Sequence, residues 1–167
     1  MNLLGIYLND HLAAASGGVE RARHMARSSA GPELAAALEP LAAELAEDRG
    51  ALVALMRRLD VPVRAYKVYA GRVAERLGRL KGNGRIVRRS PLSPLVELEA
   101  LRLEAEGRAA LWQTLRDLAD RDERLDPDHL DRLLERTRRQ QGALEELRRR
   151  RIVPVLTPEP VPSPASR

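Results

Sequence analysis

Leu34, Leu38, Leu41, Leu45, Asp48, Leu52, Leu55 and Leu59 follow one another at steps of four and three residues without a break. At 3.6 residues per turn, such steps stack on one side of an α-helix. A fully buried leucine is worth roughly 1.5–3 kcal/mol over an exposed one, so a face of this kind has to be covered. The one rung that is not leucine is a carboxylate. The ladder therefore predicts a long helix packed into a core, and a polar layer somewhere inside that core.

The rest of the composition agrees with helices. Phenylalanine is absent, and Trp112, Tyr7, Tyr66 and Tyr69 are the whole aromatic content. The core must then be leucine, alanine and valine, which suits close helix–helix contact. No window alternates apolar and polar residues long enough to suggest strands, so the fold class is all-α. The 167 residues suit one domain with a proper core. There is no cysteine, which excludes disulfides, thiolate metal sites and cysteine nucleophiles. The N-terminal MNLLGIYLNDH lacks the basic start and apolar run of a signal peptide, and nothing approaches the ~18 apolar residues of a membrane span. A cytoplasmic location is the expectation.

Five helical segments are predicted. The first covers residues 3–27 and ends at Ser28, Ser29 and Gly31. The second starts at Pro32, a residue favoured in a first helical turn, and runs to about Leu59. Pro40 inside it should kink or restart it, because the ring clashes with the carbonyl four residues back. A third, at 63–81, carries Val63, Tyr66, Ala70, Val73, Leu77 and Leu80 on one stripe and ends at Gly82-Asn83-Gly84. A fourth, at 92–121, is apolar on two sides. Leu98, Leu101, Ala105, Ala109, Trp112 and Ala119 form one face, and Val96, Leu103, Gly107, Ala110, Leu111 and Leu118 lie nearly opposite. Asp126-Pro127 opens the fifth as cap and first residue, and it runs to about Arg151. Five of the eleven prolines lie beyond Ile152, so residues 1–151 are expected to form the bundle and residues 152–167 a disordered tail.

The polar layer can be placed by height. In an antiparallel hairpin of the first two segments, turning near residue 30, His11 comes level with residue 49 and so with Asp48. In the last two, Gln140 and Gln141 come level with Arg108 and Gly107, and Thr137 with Gln140 interrupts the seam of Leu130, Leu133, Leu144 and Leu147. A buried charge needs a partner. Imidazole at His11, on one apolar stripe of the first segment and at the edge of another, is the expected one for Asp48. The simplest role is a hydrogen bond that sets register, as single polar residues do in coiled coils. No cofactor is then expected. The alternative is a divalent metal, iron or manganese, held by His11, Glu44, Asp48 and Glu106. No phosphate-binding glycine loop or nucleophile elbow is present.

The stretches YLNDHLAAASGGVE, LAEDRGALVALMRRL, AERLGRLKGNGR and ELEALRLEAEGRAALWQTL resemble a group of uncharacterised bacterial proteins, and their layout is similar to the ferritin-like four-helix bundle over residues 3–150. The resemblance implies an antiparallel bundle of the first, second, fourth and fifth segments, with the third as a crossover helix outside. Ferritin-like carboxylate proteins place a Glu on each of two helices and Glu-x-x-His on the other two. This chain has no Glu-x-x-His. Glu44-x-x-Glu47 and Glu135-x-x-Arg138 stand in its place, His129 opens the fifth segment, and His24 lies off the seam.

Charge is unevenly placed. Of a net +5, residues 61–91 hold nine basic side chains against Glu75 alone, which is +8 and leaves −3 for the remainder. With 27 arginines and two lysines, the simplest account is a genome that uses arginine as its default solvated cation. The other is an anion-binding patch of Arg64, Arg72, Arg76, Arg79, Lys81, Arg85, Arg88 and Arg89, which would hold nucleic acid or an anionic membrane surface in a salt-sensitive way. The two-faced fourth segment and the small residues Ser16-Gly17-Gly18 suggest a homodimer.

Overall fold

The computed structural model describes residues 2–27, 31–64, 90 and 92–157. All of its regular structure is helical: α1 (Leu3–Arg27), α2 (Pro32–Arg58), α3 (Ser93–Leu118) with a 3₁₀ turn at Ala119–Arg121, and α4 (Pro127–Leu156). The predicted segment at 63–81 lies outside the described residues apart from Val63 and Arg64, which are not helical.

Contacts between side chains give the directions. Tyr7 meets Thr114 and Arg21 meets Glu104, so α1 and α3 run antiparallel. Glu44 meets Gln140 and Glu47 meets Arg136, so α2 and α4 do too. Within each hairpin, Ser16 reaches Arg49 and Arg116 reaches Asp131. Every adjacent pair is thus antiparallel, and the connection across residues 59–92 joins two parallel helices, α2 and α3. The hairpins meet closely along α1–α3 and only at a few residues along α2–α4.

The leucine ladder behaves as its spacing requires. All seven leucines are buried, and Asp48 with them at 1% exposure. Pro32 occupies the first turn of α2 as expected. Pro40 does not restart the helix: it is exposed, and α2 continues through it. At its far end α2 closes with the Val61 amide donating to the Met56 carbonyl at 2.9 Å and the Asp60 amide to Arg57 at 3.2 Å. This Schellman arrangement requires left-handed backbone at Asp60 (φ 54°) and brings Val61 back onto the core beside Met56. Asp126 caps α4, accepting from the amides of Asp128 (3.0 Å) and His129 (3.3 Å).

Two expectations are corrected. The helix expected to end near Arg151 continues through Pro154 to Leu156, with Arg151, Ile152 and Val155 half-buried, and residues 158–167 of the expected tail lie outside the described residues. The two-faced α3 is less symmetric than its sequence suggests. Leu111 is buried and Leu118 half-buried, while Val96, Leu103 and Ala110 stay exposed. Likewise Ser16 and Gly18 of the small-residue patch are buried within the bundle itself. A Cβ at Gly18 would fall 2.5 Å from the Glu104 carboxylate, so glycine is what lets that side chain lie across α1.

Candidate functional site

The core is two apolar clusters. One gathers Leu8, Leu12, Leu52, Leu55, Trp112, Leu115 and Leu130 at the end holding the N-terminus of α1. The other gathers Val19, Leu38, Leu45, Leu98, Leu101 and Leu144 at the opposite end. Between them each helix contributes a buried polar residue: Ser16 from α1, Asp48 from α2, Arg108 from α3, Thr137 and Gln140 from α4. The two hairpins therefore share a single layer at mid-height.

Asp48 is its centre. Oδ1 forms an ion pair with the guanidinium of Arg136. Oδ2 accepts from Gln140 Nε2 at 3.0 Å and lies 3.5 Å from Arg108 Nε. Gln140 joins the groups around it: the same Nε2 donates to Glu44 Oε2 at 3.1 Å, and its Oε1 accepts from Arg108 at 2.9 Å. Arg136 also reaches Glu47 at 2.9 Å. Two guanidiniums, two outer carboxylates and one amide thus surround one buried carboxylate. Burial pulls the Arg108 guanidinium below its ordinary pKa; Asp48 and Glu104 oppose that, and Arg136 adds to it. Thr137 donates back to the Leu133 carbonyl at 3.0 Å, and Ser16 to Leu12 at 2.8 Å while accepting from Arg49 at 2.7 Å.

His11 is not the partner of Asp48. It makes no hydrogen bond to Asp48 among the described residues. It sits half-buried at the edge of the α1 stripe, edge-on to Tyr7 with ring centroids 4.5 Å apart. Burial lowers its pKa from the usual histidine value, with Asp10 pulling the other way. Rotating α1 to the stripe of Leu8, Leu12, Val19 and Ala22, all buried, sets His11 aside. Of the other candidates, Glu44, Asp48 and Gln140 come together; Glu106 is exposed and Gln141 half-buried, and neither bonds to the layer among the described residues. The decisive partners, Arg108 and Arg136, were not candidates. The signal was present in part, since Arg108 falls on the Leu101, Ala105, Trp112 and Leu115 face at helical spacing. Arg136 stands at the edge of the seam, three residues after Leu133 and four before Gln140, and its length carries the guanidinium in to Asp48.

A metal does not fit this layer. Both Asp48 oxygens face cationic or amide donors, and two guanidiniums stand where a cation would have to approach. Among the described residues no three His, Asp or Glu side chains converge as ligands. Of the anion-binding patch only Arg64 is described. It is exposed, and its backbone N–H donates to Asn9 Oδ1 at 2.8 Å; Arg72, Arg76, Arg79, Lys81, Arg85, Arg88 and Arg89 lie outside the described residues. No described helix is long and apolar enough to cross a membrane.

Beside the layer, between α1 and α3, opens a cleft of about 360 Å³. Ala14, Ala15, Leu103 and Leu111 wall it, Trp112 and the Asp48–Arg108 pair lie at its base, and Asp10, His11 and Glu104 border it. Glu104 Oε1 pairs with Arg21 at 3.5 Å, while Oε2 is buried without a hydrogen bond. Burial pushes the Glu104 carboxyl pKa up, against the pull of Arg21 and Arg108. No family model, curated protein or solved structure matches the chain.

Proposed function

We propose that this is a non-catalytic helical-bundle protein of ferritin-like arrangement with a structural or interaction role, in which the Asp48 layer determines how the two hairpins pair. One observation carries the reading: the single carboxylate at the centre of the core is taken up by Arg108, Arg136 and Gln140 from the opposite hairpin. A carboxylate so engaged is a poor ligand and a poor base, and an excellent register device. Slipping one hairpin against the other by a turn would bury Asp48 among leucines, at a cost of several kcal/mol. The ferritin-like part of the reading is supported by the antiparallel neighbours and by the long connection between the parallel pair α2 and α3.

The test is elemental analysis of the untagged protein and of Asp48→Ala after growth with iron, manganese and zinc, alongside urea unfolding of both. The expected result is no stoichiometric metal in either protein and a large loss of stability in the variant. Near-stoichiometric metal in the parent, lost in Asp48→Ala, would overturn the reading.

A further inference from the structure

At the base of the cleft between α1 and α3 lies a donor that the register role does not use. Trp112 is 0% exposed, and its indole Nε1–H has no hydrogen-bond acceptor among the described residues. A buried tryptophan N–H usually has one. Out of reach of bulk water, this N–H can be answered only by the protein or from the cleft that Trp112 lines, and no described group answers it. The cleft's volume is at the lower end of small-molecule sites, about 300–1,000 Å³. Its walls are apolar, from Ala14 on α1 to Leu103 and Leu111 on α3. Its inner charged groups are already engaged. Arg108 Nε, the other buried donor there without a hydrogen bond, stands 3.5 Å from Asp48 Oδ2, and the same guanidinium donates to Gln140. Glu104 pairs with Arg21 through Oε1, and its Oε2 is buried against Gly18. Asp10 at the mouth is exposed.

We infer that this cleft binds a small uncharged molecule with an apolar body and one hydrogen-bond acceptor, a ketone, ester or ether oxygen that accepts from Trp112 Nε1. A carboxylate of the same size could accept as well. It would enter beside Asp10, Asp48 and Glu104, with the one lining guanidinium, Arg108, already facing Asp48. An ammonium compound brings donors to a donor and exchanges water for apolar walls. A molecule with no acceptor would leave the indole N–H unanswered. The inference does not rest on the role proposed for Asp48, since Trp112 belongs to the apolar cluster beside the polar layer.

The experiment titrates three probes built on one ring, cyclohexanone, cyclohexanecarboxylate and cyclohexylamine, into the full chain at pH 7, followed by NMR. Trp112 is the sole tryptophan, so its indole N–H gives a single signal. Two variants isolate the contacts. Trp112→Phe removes the donor and keeps an aromatic ring. Gly107→Leu fills the cleft from its lining, and a Cβ there meets nothing within 4 Å, so the fold has room for it. The expected result is that cyclohexanone moves the indole proton downfield in a saturable way and binds at least about tenfold tighter than either ion. Gly107→Leu should weaken it by about tenfold or more, and Trp112→Phe by about threefold to tenfold. The inference is overturned if the indole signal does not respond to cyclohexanone, if either ion binds as tightly, or if Gly107→Leu binds the ketone as the parent does. Should Trp112→Phe fail to fold, the indole signal and Gly107→Leu decide the matter by themselves.

Discussion

Asp48 and Glu145 are both carboxylates held by more than one arginine, and the resemblance ends there. Asp48 is wholly buried, and its arginines come from α3 and α4, so one carboxylate ties three helices. Glu145 sits at the surface of α4 and accepts from Arg148 and Arg149 on the next turn, at 2.9 Å each, with Arg102 of α3 at 3.5 Å. Those bonds, from Arg148 first, hold the Glu145 carboxyl down at about 2. The surface cluster has the better hydrogen-bond geometry, and its charges keep partial contact with water. The buried layer has the looser ion pairs, yet removing a member strands charge in a low dielectric. Geometry tells how well two groups meet; burial tells what happens when one is taken away.

The largest effect should follow from Asp48→Ala. It leaves Arg108 and Arg136 partly or wholly inside without their shared anion, and should cost about 3–5 kcal/mol in urea unfolding at pH 7. A loss no greater than that of a surface substitution would erase the contrast between the two sites. The next test replaces the whole layer by Asp48→Leu, Arg108→Met and Arg136→Met together. Apolar replacements of buried ion pairs are often neutral or stabilising by about 1–4 kcal/mol, so the triple variant should recover most of what Asp48→Ala loses. Its hairpins should nonetheless pair less uniquely, visible as broadened or doubled amide signals in solution NMR. A triple variant as unstable as the single one would mean that the layer contributes net stability as well as register.

Glu104 sharpens the contrast in sign. Its folded pKa is raised, so the folded protein takes up that proton at higher pH than the unfolded chain does. Its ionised form therefore weighs against folding above the folded pKa, and the penalty is relieved as pH falls toward the unfolded value near 4.5. Because Glu104 keeps partial solvent access and the Arg21 pair, Glu104→Gln should stabilise by no more than about 1 kcal/mol at pH 7, with the difference fading by pH 4. Glu145 runs the other way. Its folded pKa is depressed from 4.5 to about 2, so its contribution is present above 4.5 and is lost as pH falls through that interval. The effect of Glu145→Ala should be the smallest of the set, reduced further by added salt, since the cluster is exposed. Thermal unfolding between pH 2 and 7, at low and high salt, reads both carboxylates.

How much could be read from the residues alone depends on whether the signal is local. The leucine ladder of α2, the starts at Pro32 and Pro127 and the Asp126 cap were legible because turn periodicity and capping are properties of neighbouring residues. The level pairing of Gln140 with Arg108 was legible too, since a hairpin turn converts residue number into height. The pairing of Asp48 was not. Height alone pointed to His11, and a rotation of α1 by a fraction of a turn sets the imidazole at the edge while α3 and α4 supply the guanidiniums. The end of α4 was not legible, because the prolines beyond Ile152 weigh against helix locally, yet the helix continues through Pro154 to Leu156 with Ile152 and Val155 half-buried.

The sequence by itself determined that the chain is helical, which faces are apolar, and that a charge must lie inside. These follow from spacing and from the cost of leaving leucine in water. Only the tertiary structure decided which charges meet. Partner choice for a buried carboxylate depends on how four helices are rotated and on how far an arginine can reach, and neither is written in any one helix. The same holds for the cleft, since a space between α1 and α3 belongs to two segments about ninety residues apart, and neither alone shows that the walls stand open or that Trp112 lies at its base.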